Sequence, residues 1–220
     1  MKFFLDSAKI DEIVYAYENW AFDGVTTNPN HVYLSGKPFK TVVTELANEF
    51  KGTSFSISIE IDPNLEKAEH MITAAKEYAA ISENFTIKIP CTEQGLVAVR
   101  KLKQAGVKTN CTLVFSASQA IQAARAGAHY VSPFVGWKEA SGEDPLDFLS
   151  TIVEIYHNYQ FDSEIIVAAV RNGKHIVDAA RLGADICTAG MQVYRDSFYH
   201  PFTDYGLKRF QEAWDKTEKE

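Results

Sequence analysis

The sequence predicts an α/β chain folded as a single (βα)8 barrel with an extra C-terminal helix. Three observations predict it. Short apolar runs alternate with amphipathic stretches along the whole chain, giving about eight strand–helix units with no linker between them. The chain has 220 residues, near the lower end of the ~200 to 400 that such barrels occupy. The first apolar run closes in Leu5-Asp6-Ser7-Ala8, without the glycines that a doubly wound sheet needs in its first phosphate loop. That competing architecture is set aside on this ground, and residues 1–220 are expected to form one domain.

Each element follows from local pattern. Phe3-Phe4-Leu5 is the first strand, and helical periodicity runs over 8–20. Gly24-Val25-Thr26 is the second strand, with a helix over 39–50. Residues 54–61 alternate as a strand does, with Phe55, Ile57, Ile59 and Ile61 on one face. A helix over 64–80 leads to a β-branched run at 85–89, closed by Pro90. A helix over 93–104 stops at Gly106. Strand 107–115, helix 118–126, strand 130–135 and helix 145–159 follow. The continuous apolar run 165–170 suits a strand buried on both faces. Helix 173–182 stops at Gly183, a short strand covers 186–188, and the rest is helical to Trp214 with a break at Pro201. His200-Pro201 is read as closing a helix. Tyr156, Tyr159 and Phe161 are read as core and helix edge, and the charged tail 216–220 as frayed.

Composition narrows the function classes. Apolar residues make up 46% and charged residues 23%, which are globular proportions. Lys and Arg total 22 against 29 acids, a net charge of −7, so the basic footprint of a nucleic-acid binder is missing. No apolar run reaches the ~20 residues of a membrane span. Asp6 follows the first apolar run at once and leaves no room for a signal-peptide core. Three scattered cysteines, Cys91, Cys111 and Cys187, read as reduced thiols of a cytosolic protein. The histidines (His31, His70, His129, His157, His175, His200) share no ligand-spaced pair, so zinc is not expected. Ser35-Gly36-Lys37 lacks the preceding glycine of a P-loop.

In a barrel enzyme the site lies at the C-terminal ends of the strands, and the residues there are polar. They are Asp6, Thr26-Thr27-Asn28, Glu60, Lys88, Asn110, Thr112, Ser132 and Arg171. Lys88 sits inside the apolar run Thr86-Ile87-Lys88-Ile89-Pro90. Burying an ammonium disfavours its charged form, and a neutral amine forms Schiff bases with ketones. A lysine there can also snorkel out of the strand end or pair with a carboxylate. Glu60 lies on the face opposite the isoleucines, where an acid is costly unless hydrogen-bonded or functional. It can hold a water with Thr112 for general acid/base work or pair with Lys88. Asp6 can exchange a proton with a substrate hydroxyl or cap the helix that follows. Asn28 before Pro29 can bind substrate or serve turn chemistry.

Taken in order, several segments resemble the transaldolase family, in particular its small branch with the fructose-6-phosphate aldolases. They are Phe4-Leu5-Asp6-Ser7-Ala8, Asp23-Gly24-Val25-Thr26-Thr27-Asn28-Pro29, Ser58-Ile59-Glu60-Ile61 and Ile87-Lys88-Ile89-Pro90. Asn110-Cys111-Thr112, Ser132-Pro133-Phe134-Val135-Gly136, Arg171-Asn172 and His200-Pro201-Phe202 continue the match.

The resemblance implies a Schiff base at Lys88 with the C2 ketone of a ketose, followed by cleavage of C3–C4. Asp6 would be the acid/base at the C4 hydroxyl, and Glu60 and Thr112 would hold the relaying water. Asn28, Asn110 and Ser132 would bind substrate hydroxyls. It implies no metal or other cofactor, because the iminium is the electron sink. Glu60 and Phe134 look like the type that transfers the dihydroxyacetone unit to an aldehyde acceptor; the aldolase type carries glutamine and tyrosine there. It also implies a homo-oligomer, a pentamer or decamer, with the stretch 205–214 packing on a neighbour or else closing its own barrel.

Departures from the family pattern concern the donor's anion. Trp137 stands where the family has a phosphate-binding arginine, Ala169 where it has serine, and Asn30 where it has serine or threonine. Arg171 remains. A phosphate carries nearly two charges and suits paired guanidinium groups. A sulfonate carries one charge, which Arg171, the Trp137 indole N–H and the Asn30 amide suit better. In this the chain resembles the transaldolase-like enzymes of sulfosugar breakdown, and the resemblance implies 6-deoxy-6-sulfofructose as the donor. The alternatives are a phosphorylated ketose with Lys138 replacing the arginine, and a non-catalytic sugar-binding barrel.

Overall fold

A computed structural model describes residues 1–218. Eight parallel strands close in sequence order into a barrel. They are β1 (Lys2–Asp6), β2 (Gly24–Thr26), β3 (Ser56–Glu60), β4 (Phe85–Pro90), β5 (Thr109–Val114), β6 (Tyr130–Pro133), β7 (Glu164–Val170) and β8 (Ile186–Ala189). Closure comes from β8 pairing with β1, Phe4 opposite Thr188 and Leu5 opposite Ala189. The helices are α1 (Ile10–Trp20), α2 (Pro29–Ser35), α3 (Phe39–Glu49), α4 (Ala68–Ala79), α5 (Glu93–Gln104) and α6 (Ala117–Ala126), then α7 (Val135–Ala140), α8 (Pro145–Tyr159), α9 (Gly173–Leu182), α10 (Met191–Phe198) and α11 (Pro201–Asp215). This is the (βα)8 TIM barrel that the alternating pattern predicts, with α11 added at the end. Among the described residues no helix is long and apolar enough to cross a membrane.

Strand alternation divides the core in two. Outward residues such as Leu5, Ile57, Ile59, Ile87, Ile89 and Val131 pack with the helices in one continuous apolar cluster. Inside the barrel, Phe4, Tyr130, Ile166 and Ile186 form a separate plug at the N-terminal end. Gly24 makes room for it: a Cβ there would lie 2.7 Å from the Phe4 ring and 2.5 Å from the Ser56 carbonyl oxygen. Above the plug the inward side chains are polar and buried: Thr26, Ser58, Thr86, Lys88, Asn110, Thr112, Ser132 and Thr188. A closed barrel with an apolar floor and a polar upper interior faces its chemistry toward the strand C-termini.

The observed elements depart from the expected ones at short helices. α2 and α7, of seven and six residues, are too short to show a helical period, and α7 ends the expected strand 130–135 at Pro133. His200-Pro201 opens a helix instead of closing one: His200 Nδ1 accepts the Phe202 N–H at 3.2 Å, and Pro201 takes the first helical position. Of the expected aromatic edge, Tyr156 is core while Tyr159 is exposed. α11 buries none of its residues against the barrel, so the stretch 205–214 does not close it. The expected frayed tail 216–220 lies partly outside the described residues.

Candidate active site

Alternation places Glu60 and Lys88 on the inner face at the C-terminal ends of β3 and β4, directly opposite each other in register. Lys88 is 4% exposed. Its Nζ lies 2.9 Å from Glu60 Oε2 and donates to the Thr27 carbonyl oxygen at 2.8 Å. The amine is thus held at a fixed point beside a carboxylate and does not snorkel out. Thr112 enters from β5, where its hydroxyl is fully buried and has no hydrogen-bond partner among the described residues. A buried hydroxyl without a partner is costly, and at a cavity wall it is satisfied by water or substrate.

On the other side, Asp6 ends β1. Its Oδ1 accepts the Thr26 hydroxyl at 2.8 Å, and Thr26 Oγ1 is 2.6 Å from Thr188 Oγ1. The Thr26 proton is committed to Asp6, so Thr188 donates to Thr26. Asp6 Oδ2 lies 3.6 Å from His31 Nε2. Asp6 does not cap α1: that helix starts at Ile10, after Lys9, with no side-chain cap. Asn28 does cap, its Oδ1 accepting the His31 N–H at 2.9 Å to start α2. It lines the cavity as well.

One cavity of about 590 Å³ gathers these groups. Asp6, Asn28, Asn30, Glu60, Lys88, Thr112, Ser132, Phe134, Trp137 and Arg171 all line it. Asn110, expected to bind substrate, is not among the lining residues. It is fully buried, donating to Ser58 Oγ at 3.2 Å and accepting the Ser132 hydroxyl at 2.7 Å. It holds the hydroxyl of Ser132, which does line the cavity. Phe115, Phe134 and Trp137 form an aromatic cluster with centroids 5.5–5.9 Å apart, and Trp137 stays half exposed at the rim. Lys138 does not line the cavity; it pairs with Glu143 and lies over the Phe148 ring. It is therefore not placed to replace an arginine at the anion.

His31, Leu113 and Ala169 also line the cavity, and the sequence reading passed over the first two as site residues. For His31 a signal existed: Asn-Pro is a cap followed by a first helical residue, which brings residue 31 back over the mouth. For Leu113 none existed. Leu113 and Ala169 have φ of +59° and +56°, at register shifts in β5 and β7. Left-handed backbone costs a non-glycine residue ~1–2 kcal/mol, and such bulges re-aim strands beside sites.

Comparison with known proteins identifies the relatives of the chain. The family model described as Transaldolase/Fructose-6-phosphate aldolase matches residues 3–220. The chain is 60% identical over 218 residues to proteins named 6-deoxy-6-sulfo-D-fructose transaldolase from Priestia aryabhattai and Priestia megaterium, covering 99% of this chain and 96% of each relative. It is 45% identical over 216 residues to a probable transaldolase of Aquifex aeolicus, covering 98% of this chain and 97% of that one.

Proposed function

The chain belongs to the transaldolase/fructose-6-phosphate aldolase family, and from that premise we propose that it transfers dihydroxyacetone from 6-deoxy-6-sulfofructose to an aldehyde acceptor through a Schiff base at Lys88. The observation that carries this reading is the buried Lys88 amine, 2.9 Å from Glu60 and at the wall of the same cavity as Asp6 and the unpartnered Thr112 hydroxyl.

Glu60 takes the ammonium proton, and the amine adds to the ketose C2. A water held between Glu60 and Thr112 carries protons to the leaving hydroxyl, and the iminium forms with loss of water. Asp6 removes the C4 hydroxyl proton. The C3–C4 bond breaks, its electron pair moves into the iminium to give an enamine, and the aldehyde leaves. The enamine then attacks the acceptor aldehyde, whose oxygen takes the proton from Asp6. Water finally releases the new ketose and returns the amine. The iminium is the electron sink, so no step assigns work to a metal. Asn28 and Ser132 bind substrate hydroxyls, with Asn110 acting through Ser132.

Arg171, Trp137 and Asn30 bind the anion at C6. The names of the two Priestia relatives support a sulfonate there, and so does Trp137 in the place of a second guanidinium. α11 supports assembly of copies: Phe202 and Phe210 are each 75% exposed, and none of the helix's residues is buried. Residues 1–220 act as one barrel domain in this reading.

Borohydride reduction in the presence of 6-deoxy-6-sulfofructose or, separately, fructose 6-phosphate tests it. A three-carbon adduct on Lys88, formed faster with the sulfonate donor, is expected. Faster trapping with the phosphate donor assigns an ordinary transaldolase or fructose-6-phosphate aldolase. No adduct from either donor leaves a sugar-binding barrel.

A further inference from the structure

Two of the three residues assigned to the donor's anion, Trp137 and Arg171, stand on different elements, and one buried histidine lies between those elements. Trp137 is on α7; Arg171 follows β7 and precedes α9. We propose that His175 and Glu139 form a clasp that positions Arg171 against Trp137 and so sets affinity for the anionic end of the donor. This rests on the assignment of Arg171 and Trp137 made above. His175 is a positioning residue in it and touches no reacting atom.

His175 is 3% exposed. Its own backbone N–H is held by the Asn172 cap at 3.0 Å, so the ring has a fixed origin. Its Nδ1 accepts the Arg171 backbone N–H at 3.3 Å. A nitrogen that accepts carries no proton, so the ring proton is on Nε2. Nε2 is buried without a hydrogen-bond partner among the described residues. Glu139 Oε2 lies 3.3 Å from it, within reach but off the N–H direction. Glu139 is half exposed, and its carboxylate is the acceptor nearest that proton in the pair. A buried N–H with an acceptor this near and not yet aligned is a contact poised to close.

The same two elements already touch at the arginine. A Cβ on Gly136 would lie 2.1 Å from the Ala169 carbonyl oxygen and 2.8 Å from Arg171 Cγ. Glycine at 136 therefore lets α7 rest on the β7 bulge and on the stem of Arg171. Any shift of α7 relative to the β7–α9 turn changes the spacing of the guanidinium and the indole. His175 holds the arginine side of that junction, and Glu139 the tryptophan side.

The test compares the anionic donor with an uncharged one, dihydroxyacetone, by the concentration that half-saturates borohydride trapping on Lys88. Glu139 is at the surface, so E139A leaves the core intact; H175N keeps an oxygen near the Nδ1 position but loses the reach to Glu139. With E139A and with H175N the half-saturating concentration of 6-deoxy-6-sulfofructose is expected to rise about tenfold, that of dihydroxyacetone to stay within twofold, and the limiting trapping rate to hold. E139Q keeps an acceptor and is expected to restore most of the affinity. The double variant is expected to be no weaker than H175N alone, since the two act as one unit. Equal changes on both donors, or none on the anionic donor with E139A, overturn the clasp. R171Q separates the two readings: if it too leaves the anionic donor unaffected, the anion assignment itself fails, whereas a selective loss with R171Q and none with E139A refutes only the clasp.

Discussion

Glu60 Oε2 lies 2.9 Å from Lys88 Nζ across the β3–β4 register, at the wall of the cavity that opens at the barrel's C-terminal end. Two strands supply the amine and the carboxylate, and parallel pairing fixes their separation. No loop has to order itself to bring them together.

Glu60→Gln keeps the shape and an acceptor but removes the base. Schiff-base formation, followed by borohydride trapping in the stopped-flow, should slow by ~10²- to 10⁴-fold while the fold survives. An unchanged rate would leave Glu60 as a charge partner only. Glu60→Leu is expected to lose stability as well, by ~3–5 kcal/mol, because it strands a buried ammonium.

Thr112→Val removes a hydroxyl that makes no hydrogen bond among the described residues and preserves its shape. Thermal stability is therefore expected to hold or rise slightly, while turnover falls at least about tenfold through loss of the bound water. A parallel fall in melting temperature and rate would argue for packing instead.

Trp137→Arg returns a second guanidinium to the rim of the cavity, beside Arg171. The KM for fructose 6-phosphate is expected to drop about tenfold and that for 6-deoxy-6-sulfofructose to rise. Steady-state kinetics with both donors read the crossing. If both KM values move together, the indole does not discriminate between the anions.

Stability should weaken on mild acidification, and His129 should contribute. Burial, with repulsion from Lys108, lowers its basicity, Glu164 opposing. The unfolded chain has an imidazole of ordinary basicity, near 6.5, and so binds a proton first as pH falls. The contribution of His129 is then fully present above about pH 6.5 and is lost as pH drops through that value toward the folded-state pKa. Melting temperatures between pH 7.5 and 5.5 should fall for the wild type, and less for His129→Gln. Parallel curves would assign the fall to other groups.

Much of this protein is a matter of local pattern. The period-2 alternation of 54–61 put Glu60 opposite the isoleucines, and the apolar frame around Lys88 marked the amine. Glycines at 106 and 183, in left-handed backbone, ended helices where expected. These signals are legible because alternation, capping and glycine conformation depend only on near neighbours in the chain.

Tertiary structure decided the rest. Barrel closure, through β8 on β1, chose which polar residues face one cavity and put Asn110 beneath it. Register mismatch between neighbouring strands forced Leu113 and Ala169 into left-handed backbone with no glycine to announce it. α7 rests on β7 through Gly136, α2 starts at the Asn28 cap, and the two helices bring Trp137 and His31 to the cavity. The sequence by itself determined the strands, the longer helices and the chemical character of the candidate groups, since those follow from local periodicity and residue type. Which groups meet, and which stay behind the wall, depends on long-range closure and register, and these exist only once all eight strands are paired.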